Sequence, residues 1–386
     1  MGERILKIAV ICDVLGEANN GTTIAALNLI RTLREKGHEV RVVCPDADRA
    51  GEPGYYIVPK YDFHIFNEYV EKNGVTPAKL DTRVLEAAIH DVDVIHVMIP
   101  FALGKAAAHY ANDHGIALTA GFHCQAENIT NHVFLQNSPK ANTAVYHILY
   151  DRLYRYCDCI HYPTQFIKDT FEAIVGPTNG RVISNGVSAA FRPMAVSRPP
   201  ELEGKFAVLF TGRYSREKSH QVLIDAVALS RHRDAIQLIF AGAGPQAEHL
   251  REHARKAGIL PPIMQFYSRQ ALVKVVNTAD LYVHPAEIEI EAISCLEAIA
   301  CGRVPLIADS PRSATRYFAL TDRNLFHYNH PEDLAEKMDW WLEHPEERAA
   351  CSRDYLGYAK QFDFDACMNA MEQMLRDTAE AVRHGH

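Results

Sequence analysis

The chain has 386 residues, 48% of them hydrophobic and 23% charged, with a formal net charge of −8. That length suits two ordinary domains with two cores, the acidic balance carries no nucleic-acid signature, and no apolar run reaches the ~20 residues of a membrane span. Nine cysteines without metal-ligand spacing, and a charged start running straight into a strand, point to buried reduced thiols in a cytoplasmic protein.

Lys7 to Cys12 reads as an apolar strand, followed by a loop to Asn20 and a helix from Gly21 to about Lys36, whose Ile24, Leu27, Ile30 and Leu33 recur at helical spacing. His38 to Val43 is the next strand. This βαβ unit places a ligand loop at its first turn, but NNGTT has a single glycine and is not a GxGxxG fingerprint, which weakens a dinucleotide dehydrogenase. A bare structural turn at Gly21 is the alternative. Tyr55 to Asn67 is aromatic and irregular, a candidate lining for an acceptor. Val92 to Val97 is a strand, Pro100 to Gly104 a loop, Ala106 to His114 a helix and Ile116 to Ala120 a strand. His123 follows that strand end directly, on the ligand side of a parallel sheet, although a lone histidine there is commonly a structural hydrogen-bonder. The helix read from Asn142 to Tyr156 carries Tyr146, Tyr150, Tyr154 and Tyr156 among Arg152 and Arg155. That mixture suits a bilayer interface or a core helix with inward tyrosines. Cys159 to Tyr162 and Arg181 to Ile183 are the next strands.

Phe191 to Gly204 is proline-rich and lacks apolar periodicity, which places a domain boundary there. The expected division is residues 1–195, 196–363 and a final helical segment, 364–386. Phe206 to Thr211 opens a second α/β unit. In the following loop, GRYSREKS, Arg213 and Lys218 straddle Glu217 just before a helix. Cations at a helix start oppose its dipole, a local cost that makes sense if they face an anion. Ile236 to Ala241 is a strand leading to Gly242-Ala243-Gly244, and Ile263 to Phe266 a strand leading to Tyr267-Ser268.

His284 to Gly302, HPAEIEIEAISCLEAIACG, lies between the apolar strands Leu281–Val283 and Val304–Ile307. Its carboxylates therefore sit at the carboxyl end of a strand, where α/β sheets bind ligands. On one helix Glu289 and Glu297 would be about 12 Å apart along the axis and about 80° apart around it, so they form no close dyad. They suit two anchors of an extended ligand, such as a sugar nucleotide, with Glu289 on a loop and Glu297 on a helix. The amides at the helix start, around Ile293 and Ser294, could hold a diphosphate. The alternative is an acidic helix start that favours the dipole. Glu287, Glu289 and Glu291 alternate as metal ligands can, yet no DxD motif follows a strand.

Glu289 and Glu297 match an E-x7-E motif. With LEAIACG (Leu296 to Gly302), VPLIADS (Val304 to Ser310), the GRxxxEK pattern of Gly212 to Lys218 and SNGV (Ser184 to Val187), the chain resembles the family-4 retaining glycosyltransferases over nearly its whole length. The likeness is greatest to the branch that glycosylates membrane diacylglycerol. The resemblance implies an α/β, GT-B architecture: two facing Rossmann-like domains with a C-terminal helix crossing back to the first. It implies a hexosyltransferase that moves glucose from UDP-glucose to 1,2-diacylglycerol at the inner face of the cell membrane. No metal or other cofactor is expected, because Arg213 and Lys218 hold the diphosphate and supply the positive charge. By the same resemblance Glu289 holds donor-sugar hydroxyls and Glu297 the ribose. Gly21 and Thr22 approach the diphosphate, Gly242 and Gly244 line the cleft, and His123 lies beside the sugar and the reacting centre. Tyr267 and Ser268 stand where relatives carry a glycine that meets the base through the backbone. A GT-B enzyme with a soluble glycan or small-molecule acceptor, a sugar-nucleotide epimerase and a non-catalytic nucleotide-sugar-binding protein stay open.

Overall fold

The structure is a computed structural model that describes residues 4–15, 21–62, 77–131, 135 and 137–385. Two compact units divide the chain: Met1–Asn185 with Asp365–His386, and Gly186–Phe364.

The first unit is built on seven strands, β1 (Lys7–Ile11), β2 (Glu39–Cys44), β3 (Tyr55–Ile57), β4 (Val94–Val97), β5 (Ala117–Gly121), β6 (Cys159–Tyr162) and β7 (Gly180–Val182). They form one sheet in the order β3-β2-β1-β4-β5-β6-β7, every pair parallel. Parallel strands joined through crossovers are covered on both faces. Accordingly Ile8 to Ile11 and the whole of β4 are buried. The order reverses between β1 and β4, which places the chain segments after these strands at a switch point.

Three details depart from the sequence reading. Tyr55–Ile57 is an edge strand rather than irregular chain, and residues 63–67 of that stretch lie outside the described residues. The helix expected from Ala106 begins at Ala102. Its cap comes from far away in sequence: Asp13, after β1, accepts hydrogen bonds from Leu103 N and Gly104 N, both at 2.8 Å. A side chain at Gly104 would meet Ile99 O at 2.5 Å, so the glycine lets this helix lie against the preceding loop. The tyrosine-rich helix runs Pro139–Arg152 and is followed by a separate turn, Tyr154–Tyr156. Tyr146 and Tyr154 are buried and stack on Phe122, so those two tyrosines serve the core.

The C-terminal helix, Phe364–Arg383, belongs to this first unit from Asp365 onward. It buries Met368, Met371, Met374 and Leu375. Glu372 is its anchor: the carboxylate accepts from Lys36 Nζ at 2.6 Å and Arg376 Nη2 at 2.6 Å, and lies 3.0 Å from His38 Nε2.

The second unit has six parallel strands, β8 (Phe206–Thr211), β9 (Ile236–Ala241), β10 (Ile263–Gln265), β11 (Leu281–His284), β12 (Pro305–Ala308) and β13 (Leu325–Phe326). Their order, β10-β9-β8-β11-β12-β13, reverses between β8 and β11. The unit begins at Gly186, before the proline-rich stretch expected to carry the boundary. That stretch is tied into the second unit. Val187 N bonds Phe362 O, Phe191 is buried in its core, and Met194 N donates to Asn277 Oδ1.

At the carboxyl edge of this sheet the loops are joined backbone to backbone. Gly212 N donates to Ala241 O (3.1 Å), Tyr214 N to Ala243 O (3.0 Å) and Gly242 N to Gln265 O (2.9 Å). This closeness requires two glycines. A Cβ at Gly242 would overlap Gly212 O, and one at Gly244 would lie 2.6 Å from Tyr214 O. The β9 loop can therefore press on the β8 loop only where it has no side chain.

Two outcomes are expected. Gly242→Ala forces the loops apart and lowers stability by about 1–3 kcal/mol, the usual range for overpacking, as read from urea unfolding. An unchanged midpoint would mean that the contact yields freely. Glu372→Ala strands three basic groups at the C-terminal helix, and a loss of ~3 kcal/mol is expected. Burial pushes the Glu372 carboxyl up, but Lys36, His38 and Arg376 outweigh that and hold it at about 2. Its stabilising share is therefore present above the ordinary glutamate range and is lost as pH falls from there toward 2. The difference between wild type and Glu372→Ala should shrink over that window in acid unfolding.

Candidate functional site

The second unit gathers charge at its switch point. β8 leads into the loop Gly212–Ser219, in which Arg216–Lys218 form one turn of 3-10 helix. β11 leads through a loop to Ala292 and the helix Ile293–Ala300. Both loops enter their helices through a non-glycine residue in the left-handed region, Ser219 at φ 51° and Ala292 at φ 57°. Such residues are uncommon and cluster at functional sites.

Lys218 Nζ pairs with Glu289 Oε1, and His284 Nε2 lies 3.2 Å from the same oxygen. Glu289 thus receives both the cation from the β8 loop and the ring at the end of β11. The Lys218 and Glu289 side chains are 21% and 12% exposed, so the pair is largely buried yet still reached by solvent. Burial pushes the Glu289 carboxyl up; the Lys218 ammonium and the His284 ring outweigh that and hold it at about 2. Burial lowers Lys218, but Glu289 raises it above its ordinary value overall. Burial lowers His284, against the pull of Glu289. The imidazole is therefore read as neutral, donating from Nε2, with Tyr282 Oη 3.3 Å from its Nδ1. Tyr282 Oη also lies 3.3 Å from Ser294 Oγ, so one polar chain runs from the helix start to the ion pair.

The backbone holds Glu289 from two sides. Glu287 N donates to Glu217 O (3.0 Å) in the β8 loop. On the other side Glu289 N donates to Arg312 O (3.3 Å), and Ala314 N to Glu289 O (2.8 Å). Ser310 Oγ donates to Glu287 O at 2.6 Å. The three alternating carboxylates do not share one centre: Glu287 pairs with Arg312 and Glu289 with Lys218. Among the described residues no group of three His, Cys, Asp or Glu side chains is arranged to hold a metal ion.

The other candidates of this unit surround that cluster or lie beside it along the strand ends. Arg213, partly buried, is on the same loop as Lys218. Ile293 and Ser294 open a helix that no side chain caps. Gly242 and Gly244 support the β8 loop, as described above. Ser268 caps the helix Arg269–Thr278 by accepting from Ala271 N, so its hydroxyl already has a structural task. Tyr267 before it packs against the core. Glu297 is on the Ile293–Ala300 helix and Glu289 on the loop before it, each with its own cation. For Glu297 that cation is Arg269, whose Nη1 lies 2.7 Å from Oε1. The contact lacks hydrogen-bond alignment and acts through charge. Burial pushes the Glu297 carboxyl up to about 7, against the lowering pull of Arg269.

The first unit carries the remaining candidates. Gly21 and Thr22 open the helix Gly21–Glu35 after β1, and the asparagines before them lie outside the described residues. His123 follows β5 and lies close over Gly121. It is partly exposed, with its ring centroid 5.6 Å from that of His161. Burial, then His161 and His96, push its pKa well below the ordinary histidine value, so His123 is neutral. His96 and His161 are anchored by Thr119 Oγ1 (2.9 Å) and Ile183 O (2.7 Å).

Sequence reasoning missed His284, Arg312, Arg269 and Asp13. His284 had a usable signal, since it is the last residue of a strand already read as ending at the ligand edge. The other three act across sequence separations that local patterning does not report.

Two family models cover the chain in succession: Glycosyltransferase Family 4 over residues 19–191 and Glycosyl transferases group 1 over residues 195–355. A GDP-mannose-dependent alpha-mannosyltransferase of Mycolicibacterium smegmatis is 26% identical over 314 residues, 78% of this chain and 79% of the relative. Alpha-monoglucosyldiacylglycerol synthase of Streptococcus pneumoniae is 23% identical over 325 residues, 78% of this chain and 71% of the relative. Among solved structures, Anabaena Alr3699/HepE in complex with UDP and glucose matches with a TM-score of 0.75 at 17% identity, over 96% of this chain and 100% of that one. With both halves matched in order and two α/β units of the corresponding architecture, the chain belongs to the family-4-type glycosyltransferases of GT-B fold.

Proposed function

We propose that this glycosyltransferase moves glucose from UDP-glucose to the hydroxyl of a lipid acceptor, 1,2-diacylglycerol, with retention at the anomeric carbon. The observation that carries the reading is the Lys218–Glu289–His284 cluster at the switch point of the second unit. An ionised carboxylate there can accept hydroxyl hydrogen bonds from a sugar. A lysine beside it can offset negative charge on a diphosphate. Arg213 shares that task, the uncapped amides of Ile293 and Ser294 meet the phosphates, and Glu297 takes the ribose. Gly21 and Thr22 are assigned to the diphosphate. Tyr267 and Ser268 are assigned to the base, through their backbone.

In the reaction the bond from the anomeric carbon to the phosphate oxygen breaks, and a bond to the acceptor oxygen forms. The acceptor proton passes to the departing phosphate on the same face. Charge grows on the nucleotide as it leaves, and a preorganised cation is worth most where charge develops. Lys218 and Arg213 fill that role. The neutral His123 is assigned to the transferred sugar, as a hydrogen-bonding group that adds no charge. We propose that no metal ion takes part.

The relative that makes monoglucosyldiacylglycerol supports glucose and a lipid acceptor. The GDP-mannose-dependent relatives support a second donor reading, mannose from GDP-mannose. The proposed place of action is the inner membrane face, which the glycolipid-making relative supports; among the described residues no helix is long and apolar enough to cross a membrane.

The test presents purified protein with UDP-glucose or GDP-mannose and diacylglycerol in mixed micelles, reading nucleotide release and labelled lipid. UDP release with an α-linked glucolipid is the expected result, and it should persist in excess EDTA. Release from GDP-mannose alone would replace the donor, and release without labelled lipid would discard the lipid acceptor. No release from either donor would favour a binding protein without catalysis. Lys218→Ala and Glu289→Ala are each expected to lower turnover at least tenfold, about 1.4 kcal/mol in the barrier. Full activity in either variant would remove that residue from the mechanism.

A further inference from the structure

Glu297 is built differently from Glu289. It lies on the helix Ile293–Ala300 with its side chain only 5% exposed. Arg269, the first residue of the helix that follows β10, approaches it from the neighbouring loop. The Arg269 side chain is 45% exposed, but its guanidinium is not loose: it lies over the Phe191 ring at 4.6 Å from the centroid. Phe191 is itself buried in the core of the second unit. A planar cation stacked on a fixed ring is held in place, and its charge is directed at one carboxylate oxygen.

We propose that Arg269 is a positioning residue for the nucleotide: braced on Phe191, it orients the Glu297 carboxylate so that this group can accept hydroxyls of the donor's ribose. This inference rests on the nucleotide-sugar reading given above. A buried carboxylate with no cation nearby would take up a proton and lose one of its acceptor oxygens. Arg269 opposes that change. It leaves the other oxygen uncommitted, because its 2.7 Å contact is to Oε1.

The groups facing Glu297 are few. Arg269 comes from the adjacent helix, and Cys301 follows one turn along on its own side. Burial pushes the Cys301 thiol up to about 12, so it remains neutral at working pH. Arg269 is thus the one charged group acting on Glu297 among the described residues. Burial still dominates, and the carboxyl titrates at about 7. Ribose binding through an ionised Glu297 is therefore complete above that value and is lost as pH falls through it. Removing Arg269 takes away the lowering pull, so the loss should begin at higher pH.

The experiment is isothermal titration of UDP-glucose and of GDP-mannose, whose diesterified diphosphates do not titrate near neutrality, from pH 6 to about 9. In the wild type, affinity should fall below about pH 7, where binding is accompanied by the release of one proton. Arg269→Gln should move that fall upward by about one pH unit or more and weaken binding roughly tenfold at neutral pH, with recovery at high pH. Arg269→Lys, which keeps the charge but loses the planar stack, should fall between the two. Glu297→Gln should abolish the pH step. Arg269→Gln with wild-type affinity and an unmoved pH profile would overturn the proposal, as would an equal loss at every pH, which is the signature of general disorder. Absence of binding by the wild type to either donor would instead overturn the donor-site reading itself.

Discussion

Much of the second unit's carboxyl edge depends on one buried ion pair. Lys218 and Glu289 come from loops after different strands, and burial works against the charge of each. Desolvation works against both charges; each is kept by the other. The pair therefore joins the β8 and β11 loops across the point where strand order reverses. His284 shares the Glu289 oxygen and carries the same constraint back into the core of β11. A site of this kind can remain folded with no ligand, because its charges are already matched. In the proposed reaction an arriving diphosphate and sugar would share those charges rather than create the need for them.

Close loop packing makes this possible. Main-chain bonds link the β8, β9 and β10 loops, and Gly242 and Gly244 bring them to a separation that no side chain would permit. On the far side, the chain after β12 clamps Glu289 through both its N–H and its C=O. The Glu289 carboxylate thus hangs on a loop but is held with much of the definition of a strand. The brief bridge between Glu289 and Ser313 is the visible trace of this. Positions that look like ligand residues in a motif can have this supporting task first. The two glycines are the example, for their contacts within the protein are sufficient reason for their identity.

The sequence made the central strands legible because parallel strands covered on both faces become continuous apolar runs. β6, β8 and β9 begin and end where the apolar runs do, and the glutamate-bearing segment lies at the edge where it was expected. The short edge strands β3 and β13 were illegible for the converse reason: two or three residues with one neighbouring strand leave little pattern. The early start of the Ala102–His114 helix was hidden because its cap, Asp13, sits on another loop. The contact-based division falls at Gly186, a few residues before the proline-rich stretch, because that stretch packs on the second unit. Phe191 and Met194 in fact give that stretch specific partners in the second unit. Chemistry-bearing residue types were easier to find than their partners. Glu289, Glu297, Lys218 and Arg213 stood out by charge in a local setting, whereas the contacts of His284, Arg269 and Arg312 exist only after folding.

Two glutamates eight residues apart illustrate how far environment outruns residue type. Both are shielded from water, and burial pushes both upward. Glu289 faces a lysine and a histidine and is held at about 2, while Glu297 faces one half-exposed arginine and reaches about 7. The difference follows from partner number and from how well each partner is itself enclosed. A cation that is reached by water spends part of its field on the solvent, so it offsets less of the desolvation of a buried carboxylate. Glu289 is consequently favoured as the anion by its two partners. Glu297, with one cation reached by water, is left with burial as the larger influence. Within one sheet edge the fold has thus shifted two buried carboxyls in opposite directions. That division follows from the packing around each residue, and the spacing of the motif does not contain it.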